Sequence, residues 1–301
     1  MSEIDRALEA SSLRNPRARA FVQEWAEHVG AGRLEVISAS DDARLTREAL
    51  AAGEVVPVSG GRIYARSHPK DTARTEERTF VATADPADQG AYNNWRLSSE
   101  IKPRVMELMR NAAAGKTIYA IPYLMAPPGS PLDSWAAGLE LTDSRVVALH
   151  MIRMTRVGPA YLDNLVDPDS FVRGVHVTGD LDNLGQGTPE DMRHFITVAD
   201  ERLILHFGSS YGGNALLAKI AHGLRQGSYD GWKSGRFLAE QFMLISIHDR
   251  ETGQTRHICG GFPSASGKTN LAMMEPPAGL DDRYEVHFFG DDVILSLIHI
   301  S

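Results

Sequence analysis

One short segment restricts the possible folds of this 301-residue chain more than any other: Phe262 to Asn270, which reads FPSASGKTN. An apolar run precedes the segment and a helical pattern follows it, so it is predicted to be a loop between a strand and a helix. Such a loop directs backbone N–H groups toward an anion. Lys268 is then expected to contact the β- and γ-phosphates of a nucleotide, and the Thr269 hydroxyl to bind the nucleotide's metal ion.

The segment departs from an ordinary P-loop. The pattern G-x-x-x-x-G-K-[ST] requires glycine where Phe262 stands, and Gly261 lies one residue too early. On its own, Gly-Lys-Thr could be the start of a capped helix without a ligand. The strand predicted at 284–289 favours the phosphate site, because it ends in Gly290, Asp291 and Asp292. Carboxylates at that place can hold Mg²⁺ or Mn²⁺ opposite the phosphates.

Composition narrows the class of protein. The net charge of −8 argues against a general nucleic-acid binder. A hydrophobic fraction of 43% suffices for substantial cores, and the length suits two domains. Cys259 is the one cysteine, which excludes a disulfide framework and a zinc cluster and suits the cytoplasm. The N-terminus lacks the apolar stretch of a signal peptide, and no apolar run is long enough to span a membrane.

Hydrophobic periodicity predicts a mixed α/β chain. Asn15 and Pro16 are predicted to begin a helix, and Ser40 to cap another. Apolar runs predict strands at 33–38, 117–123, 146–151, 203–207, 242–248, 257–262 and 284–289, and helices are predicted at 214–225 and 268–274. We expect a first domain over 1–220 and a second over 221–294. Residues 295–301, LSLIHIS, resemble the translation of a common sequencing adapter and are expected to be a foreign tail.

Several segments together resemble one enzyme family. Phe262 to Met274, followed by Gly290-Asp291-Asp292, resembles the signature of GTP-dependent phosphoenolpyruvate carboxykinases. Further segments resemble the family in chain order: 71–74, 93–95, 115–119, 128–131, 140–144, 154–156 and 207–214. The resemblance covers roughly residues 16–294. It implies an N-terminal, substrate-binding α/β domain followed by the start of a P-loop-containing nucleotide-binding domain.

The resemblance implies the conversion of oxaloacetate and GTP to phosphoenolpyruvate, CO₂ and GDP, a step of gluconeogenesis. It implies Mn²⁺ at an enolate site and Mg²⁺ with GTP. No nucleic-acid or membrane partner is expected. The protein is expected to be a cytoplasmic monomer. The guanine pocket would follow this stretch of chain, so residues 1–301 alone are expected to be inactive.

The resemblance also implies roles for single residues. Arg74 matches a clamp for the substrate carboxylate, and Tyr211 and Gly213 match residues that line the substrate and CO₂ site. Asp292, with Asp291 beside it, matches a ligand of the enolate metal. The nucleotide-binding set also includes Asn214 and the loop residues Ser264, Ala265, Ser266, Gly267, Lys268, Thr269 and Asn270.

Three positions depart from the family pattern. Ser266 stands where the family loop has a reactive cysteine, and Cys259, in the preceding strand, is expected to be a buried core thiol. Ile220 and Gln241 stand where the family has a lysine and a histidine that bind the enolate metal. A weaker site could use Lys219 or His222 with Gln241 and Asp292, since residues 219 and 222 share a helix face; alternatively, His222 is an ordinary surface histidine.

These departures leave three functions open. The chain belongs to a working carboxykinase, to a divergent paralogue that binds nucleotide and carboxylate without the usual turnover, or to a relative that uses pyrophosphate.

Overall fold

The computed structural model describes residues 2–66, 76–90, 92, 94–180, 188–209, 217–240, 242–262, 266–291 and 294–297, with the backbone alone at 76, 217–220, 240 and 294–297. The chain divides into two compact units, Met1–His222 and Gly223–Ser301. A π-helix, Leu217–Gln226, includes the point of division.

A mixed nine-stranded sheet forms the centre of the first unit. Its strand order is β1-β6-β7-β9-β11-β10-β4-β5, and β8 pairs with β6. A separate hairpin is formed by β2 and β3. The strands are β1 (Arg33–Val36), β2 (Val55–Val58), β3 (Arg62–Ala65), β4 (Thr79–Thr83), β5 (Trp95–Leu97), β6 (Thr117–Leu124), β7 (Ala137–Thr142), β8 (Arg156–Val157), β9 (Val172–Val177), β10 (His194–Val198) and β11 (Leu203–Phe207).

Helices pack on both faces of this sheet at β6, and β7, β10 and β11 are buried along their whole length. The α-helices of the first unit are α1 (Glu3–Ala10), α2 (Pro16–His28), α3 (Asp42–Ala51), α4 (Ser98–Met109), α5 (Asp133–Ala136), α6 (Arg145–Met154) and α7 (Ala160–Asp163). Short 3₁₀ helices lie at Ala39–Asp41, Ser59–Gly61, Glu76–Arg78, Pro86–Gln89, Glu190–Met192 and Ala199–Glu201.

Two apolar clusters form the core of this unit. The larger joins α2, through Phe21 and Trp25, to strands such as β7 and β11. The smaller packs α3 and α6 against β6. A partly exposed ion pair ties the ends of β6, β7 and β9 together: Lys116 Nζ lies 2.8 Å from Asp143 Oδ2, and Asp143 also accepts from the Thr178 N–H and hydroxyl.

Most of the predicted elements are present. Asn15 caps α2 by accepting from the N–H groups of Arg17 and Ala18, as the sequence predicts. Strand β11 has the predicted bounds, and β6 extends one residue further than predicted.

Two elements were predicted wrongly. Residues 146–151 belong to helix α6 and not to a strand. An apolar run this short has no periodicity that separates a buried helix from a buried strand, and Ser144 starts the helix by accepting from the Val147 N–H at 3.3 Å. Ser40 is not the cap of the next helical segment; Ser38 forms a capping box with Asp41 instead.

The second unit contains two small sheets. Strand β13 (Phe242–Asp249) lies between β14 (Gln254–Gly261) and β15 (Tyr284–Asp291), with both pairings antiparallel. Strands β12 (Phe237–Glu240) and β16 (Ile294–Leu297) form the other sheet. The α-helices are α8 (Gly227–Ser234) and α9 (Lys268–Ala272). Helix α9 ends two residues before its predicted end, ahead of Pro276 and Pro277.

Candidate active site

The predicted phosphate loop connects β14 to α9. Strand β14 ends at Gly261, and α9 begins at Lys268 directly after Gly267. Gly267 has a φ of 94°, a left-handed conformation that glycine adopts without strain. Among the described residues, none lies within 4 Å of a Cβ added to Gly267, so the backbone conformation is the observed reason for glycine here. Ser266, beside it, has an exposed side chain.

The structure brings three of the predicted residues together. Lys268 Nζ forms an ion pair with Asp291 Oδ1, and the Thr269 hydroxyl lies 2.5 Å from Asp291 Oδ2. The Lys268 and Asp291 side chains are only 11% and 13% exposed, because α9 packs against β13 and β15. Lys268 was expected to contact nucleotide phosphates; in the structure, its charge is balanced by Asp291. Asn270 follows in α9 with an exposed side chain.

This cluster has the chemistry of a nucleotide-phosphate and metal site. A hydroxyl and a carboxylate are the hard oxygen ligands that Mg²⁺ and Mn²⁺ prefer. Lys268 adds a cation that can contact phosphate oxygens. The residues present therefore fit a divalent cation with a nucleotide. Among the described residues, no group of three or more His, Cys, Asp or Glu side chains could hold a metal by itself.

Many predicted site residues lie outside the described part of the chain. They are Arg74, Tyr211, Gly213, Asn214, Gln241, Ser264, Ala265 and Asp292, and for Lys219 only the backbone is described.

The structure contradicts both hypotheses for His222. Its side chain is buried, and the Tyr123 hydroxyl lies 3.0 Å from Nδ1 while Nε2 contacts the Trp135 carbonyl oxygen. Both ring nitrogens are thus engaged in the core, and burial lowers the pKa of His222 to about 4. His222 is neither a surface histidine nor available to bind a metal.

The expectation for Cys259 is also wrong. The thiol lies on β14 and is exposed, because β14 is an edge strand whose residues are almost all exposed. An apolar run in the sequence does not reveal which strand forms the edge of a small sheet.

Sequence reasoning missed a row of buried polar residues on the central sheet: Glu140, Thr142, His176 and His206. Burial raises the pKa of the Glu140 carboxyl well above its ordinary value. One usable indication was the alternation of Glu140 and Thr142 with leucine in a strand, which places both side chains on one face. Nothing in the sequence showed that this face is covered.

Comparison with protein families agrees with this geometry. The model of the phosphoenolpyruvate carboxykinase N-terminal domain matches residues 20–232, and that of the phosphoenolpyruvate carboxykinase C-terminal P-loop domain matches residues 237–299. The chain belongs to the GTP-dependent phosphoenolpyruvate carboxykinase family. The mixed α/β fold and the presence of a P-loop domain after the N-terminal domain are thereby confirmed.

Curated relatives carry the same family name. The chain is 37% identical over 290 residues to phosphoenolpyruvate carboxykinase [GTP] of Anaeromyxobacter dehalogenans, covering 93% of this chain and 46% of the relative. It is 35% identical over 296 residues to that of Chlamydia caviae, covering 94% and 48%. For Treponema pallidum the identity is 35% over 301 residues, covering 95% and 47%. The chain therefore spans about half the length of the relatives it matches.

None of the helices in the described part of the chain is both long enough and apolar enough to cross a bilayer.

Proposed function

We propose that the full-length protein converts oxaloacetate and GTP to phosphoenolpyruvate, CO₂ and GDP. The observation that carries the proposal is the cluster of Lys268, Thr269 and Asp291, set at the start of α9 and the end of β15. Family membership over both matched domains supports the same reaction.

Lys268 and Asp291 have complementary tasks in this reaction. The ammonium of Lys268 stabilises the negative charge that spreads over the γ-phosphoryl oxygens during transfer. Before nucleotide binds, Asp291 balances that ammonium and holds it at the start of α9. Lys268 must then exchange part of its contact with Asp291 for the phosphates. The Thr269 hydroxyl, now donated to Asp291, becomes available to a cation in the same step.

The metal sites belong to this proposal. We assign Mg²⁺, arriving with GTP, to Thr269 and Asp291, and Mn²⁺ to an enolate site at Asp292 with Gln241 and Lys219. A divalent cation at either place would neutralise charge on phosphate or enolate oxygen. The amide of Gln241 is a neutral, weaker ligand than a family histidine, so the enolate site is expected to bind its metal weakly.

The carboxylate side of the site rests on sequence matches. Arg74 clamps the substrate carboxylate through its planar, bidentate guanidinium. Tyr211 and Gly213 line the substrate and CO₂ site, and Asn214 and Ser264 complete the contacts to substrate and nucleotide. We further propose a cytoplasmic, monomeric enzyme.

The test is a direct assay. Purified full-length protein should form phosphoenolpyruvate from oxaloacetate only when GTP and a divalent cation are both present. Mn²⁺ and Mg²⁺ are titrated separately to resolve the two metal sites. In a parallel reaction, pyrophosphate replaces GTP as the phosphoryl donor. Absence of phosphoenolpyruvate with GTP at any concentration of either metal would overturn the proposal.

A further inference from the structure

A cavity of about 450 Å³ lies in the first unit, between the segment that follows β6 and the segment that begins with α7. This volume is within the range of small-molecule sites in proteins. One wall is formed by Pro128, Gly129, Asp133 and Ser134, and the other by residues between 160 and 170. The first wall includes part of 128–131, a segment that resembles the family but has no task in the proposed reaction.

Hydrogen bonds within the chain shape the first wall. Gly129 has a φ of 81°, which glycine adopts without strain, and its N–H donates to Asp133 Oδ2 at 2.8 Å. The Asp133 N–H donates in turn to the Ser130 carbonyl oxygen at 3.0 Å. This turn holds the Asp133 carboxylate by one of its two oxygens.

The second wall is also held without a ligand. The side-chain amide of Asn15 donates to the carbonyl oxygens of Leu162, at 2.9 Å, and Pro168, at 3.0 Å. The two walls are joined at one end, where the Ser170 hydroxyl donates to the Ser134 carbonyl oxygen at 3.0 Å. The cavity is therefore preformed, and a ligand would lose little affinity to ordering its walls.

The charges that line the cavity are negative. Asp133 and Asp167 both line it, and no lysine, arginine or histidine of the described residues does. The guanidinium of Arg202 is close to the joined end, but it donates to the Ser134 carbonyl oxygen and the Ser170 hydroxyl and is not part of the lining. This distribution favours a cationic ligand over an anionic one.

Asp133 has one oxygen that the protein does not satisfy. Oδ2 accepts from Gly129, whereas Oδ1 is shielded from solvent and has no hydrogen-bond partner among the described residues. A shielded acceptor without a donor is costly. An ammonium group that donates to this carboxylate would remove that cost through a charge-assisted hydrogen bond, which is stronger than a neutral one.

Most of the remaining lining is apolar. Leu124 is buried in the larger core cluster, and Tyr161 and Leu165 pack against that cluster. An aromatic face such as that of Tyr161 also attracts cations. The ligand therefore needs a compact apolar body beside its charge. The apolar lining consists of Leu124, Pro128, Ala160, Tyr161, Leu165 and Val166.

We propose that this cavity binds a small primary amine with a compact apolar body. The ammonium donates to Asp133 and is balanced by Asp167, and the apolar body packs on Leu124, Tyr161 and Leu165. All the residues that carry this inference belong to the first unit. The inference is independent of the proposed carboxykinase reaction.

The test uses full-length protein and two probes of equal size, benzylamine and its neutral counterpart benzyl alcohol. Ligand-observed NMR titration measures the affinity of each probe. Benzylamine should bind with a Kd on the order of 1 mM, as expected for a ligand of so few atoms. Benzyl alcohol should bind at least about tenfold more weakly, because it lacks the charge.

Variants then locate the binding. Asp133→Asn keeps the shape of the side chain and an acceptor for the Gly129 N–H, so it should weaken benzylamine at least about tenfold and leave benzyl alcohol unchanged. Glu107→Gln is the matched control: it removes an exposed carboxylate that pairs with Arg110 on α4 and should change neither affinity. Ala160→Trp, at the exposed start of α7, should fill the cavity and weaken both probes.

Three results would overturn the inference. They are equal affinities of the two probes for the unchanged protein, an Asp133→Asn variant that binds benzylamine as Glu107→Gln does, and an Ala160→Trp variant that binds it as the unchanged protein does. If Asp133→Asn does not fold, Asp167→Asn replaces it, since this change lowers the charge without altering the Gly129 turn. Failure of the carboxykinase assay would overturn the proposed function and would alter none of these affinities.

Discussion

Lys268 and Asp291 form an ion pair between the first residue of α9 and the last residue of β15, with both side chains largely shielded from solvent. Strand β13 lies between β14 and β15, so the chain must complete the sheet before the loop and the acidic strand end can meet. The pair holds the start of α9, directly after Gly267, against the end of β15.

Replacement of Lys268 tests the catalytic task of this pair. Lys268→Ala in the full-length protein should reduce kcat on the order of a hundredfold or more, because the charge that stabilises the transferring phosphoryl group is lost. Lys102→Ala is the control. Lys102 also forms an ion pair with a carboxylate, that of Glu201, but it lies on the surface of the first unit. Turnover by Lys268→Ala equal to that of Lys102→Ala would mean that the loop is structural only.

Replacement of Asp291 tests the metal assignment. Asp291→Asn keeps the size of the side chain but removes the charge that a divalent cation requires. The Mg²⁺ concentration needed for half-maximal activity should rise about tenfold or more. Asp249→Asn, at the far end of β13, is the control, because its carboxylate pairs with Arg283 instead. An unchanged Mg²⁺ requirement in Asp291→Asn would contradict the assignment.

His222 should make the chain sensitive to acid. Its pKa is about 4 in the folded state, against 6.5 for the ordinary side chain, because burial disfavours the charged ring. Its contribution to the free energy of unfolding is therefore complete above about pH 6.5 and is lost as pH falls toward 4. The loss is on the order of 3 kcal/mol. Urea unfolding between pH 7 and 4 should show a shallower decline for His222→Gln; parallel declines would contradict this.

Glu140 should act with the opposite sign. Burial raises the pKa of its carboxyl well above 4.5, and Glu140 in turn contributes to the raised pKa of Tyr123 nearby. Its contribution to stability is complete below about pH 4.5 and is lost as pH rises toward the raised value. The stability of Glu140→Gln should therefore not decline through this group as pH rises. Between pH 5 and 8, its free energy of unfolding should increase relative to that of the unchanged protein. Identical pH dependence in thermal unfolding would contradict it.

Gly138 provides the space for the buried Tyr123 ring, and Gly158 serves as the matched control. A Cβ at Gly138 would lie 2.3 Å from Tyr123 Cζ, whereas one at Gly158 would meet only Tyr161 Cε2 at 3.8 Å. Gly138→Ala should destabilise the chain by about 1–3 kcal/mol through overpacking, and Gly158→Ala should be tolerated. Equal melting temperatures for the two variants would show that the Tyr123 ring can move.

Local sequence determined much of this protein. Asn15 and Pro16 fixed the start of α2, because capping and a preset φ act within a few residues. The apolar runs at β6, β11 and β13 were long or alternating enough to indicate strands. The order of residues around Gly267, Lys268 and Thr269 indicated the family and the phosphate chemistry before any contact was known.

Tertiary structure decided the rest, because burial and pairing depend on residues far apart in the chain. Residues 146–151 form a helix that is covered on both faces. The sequence of such a run shows no helical periodicity of apolar and polar residues. His222 was expected on the surface or at a metal site, but it lies in the core, where Tyr123, 99 residues earlier in the chain, supplies a hydrogen bond. Cys259 is exposed because β14 became an edge strand. The sequence predicted the acidic strand end opposite the loop, but the direct pairing of Lys268 with Asp291 depended on the order of strands in the sheet.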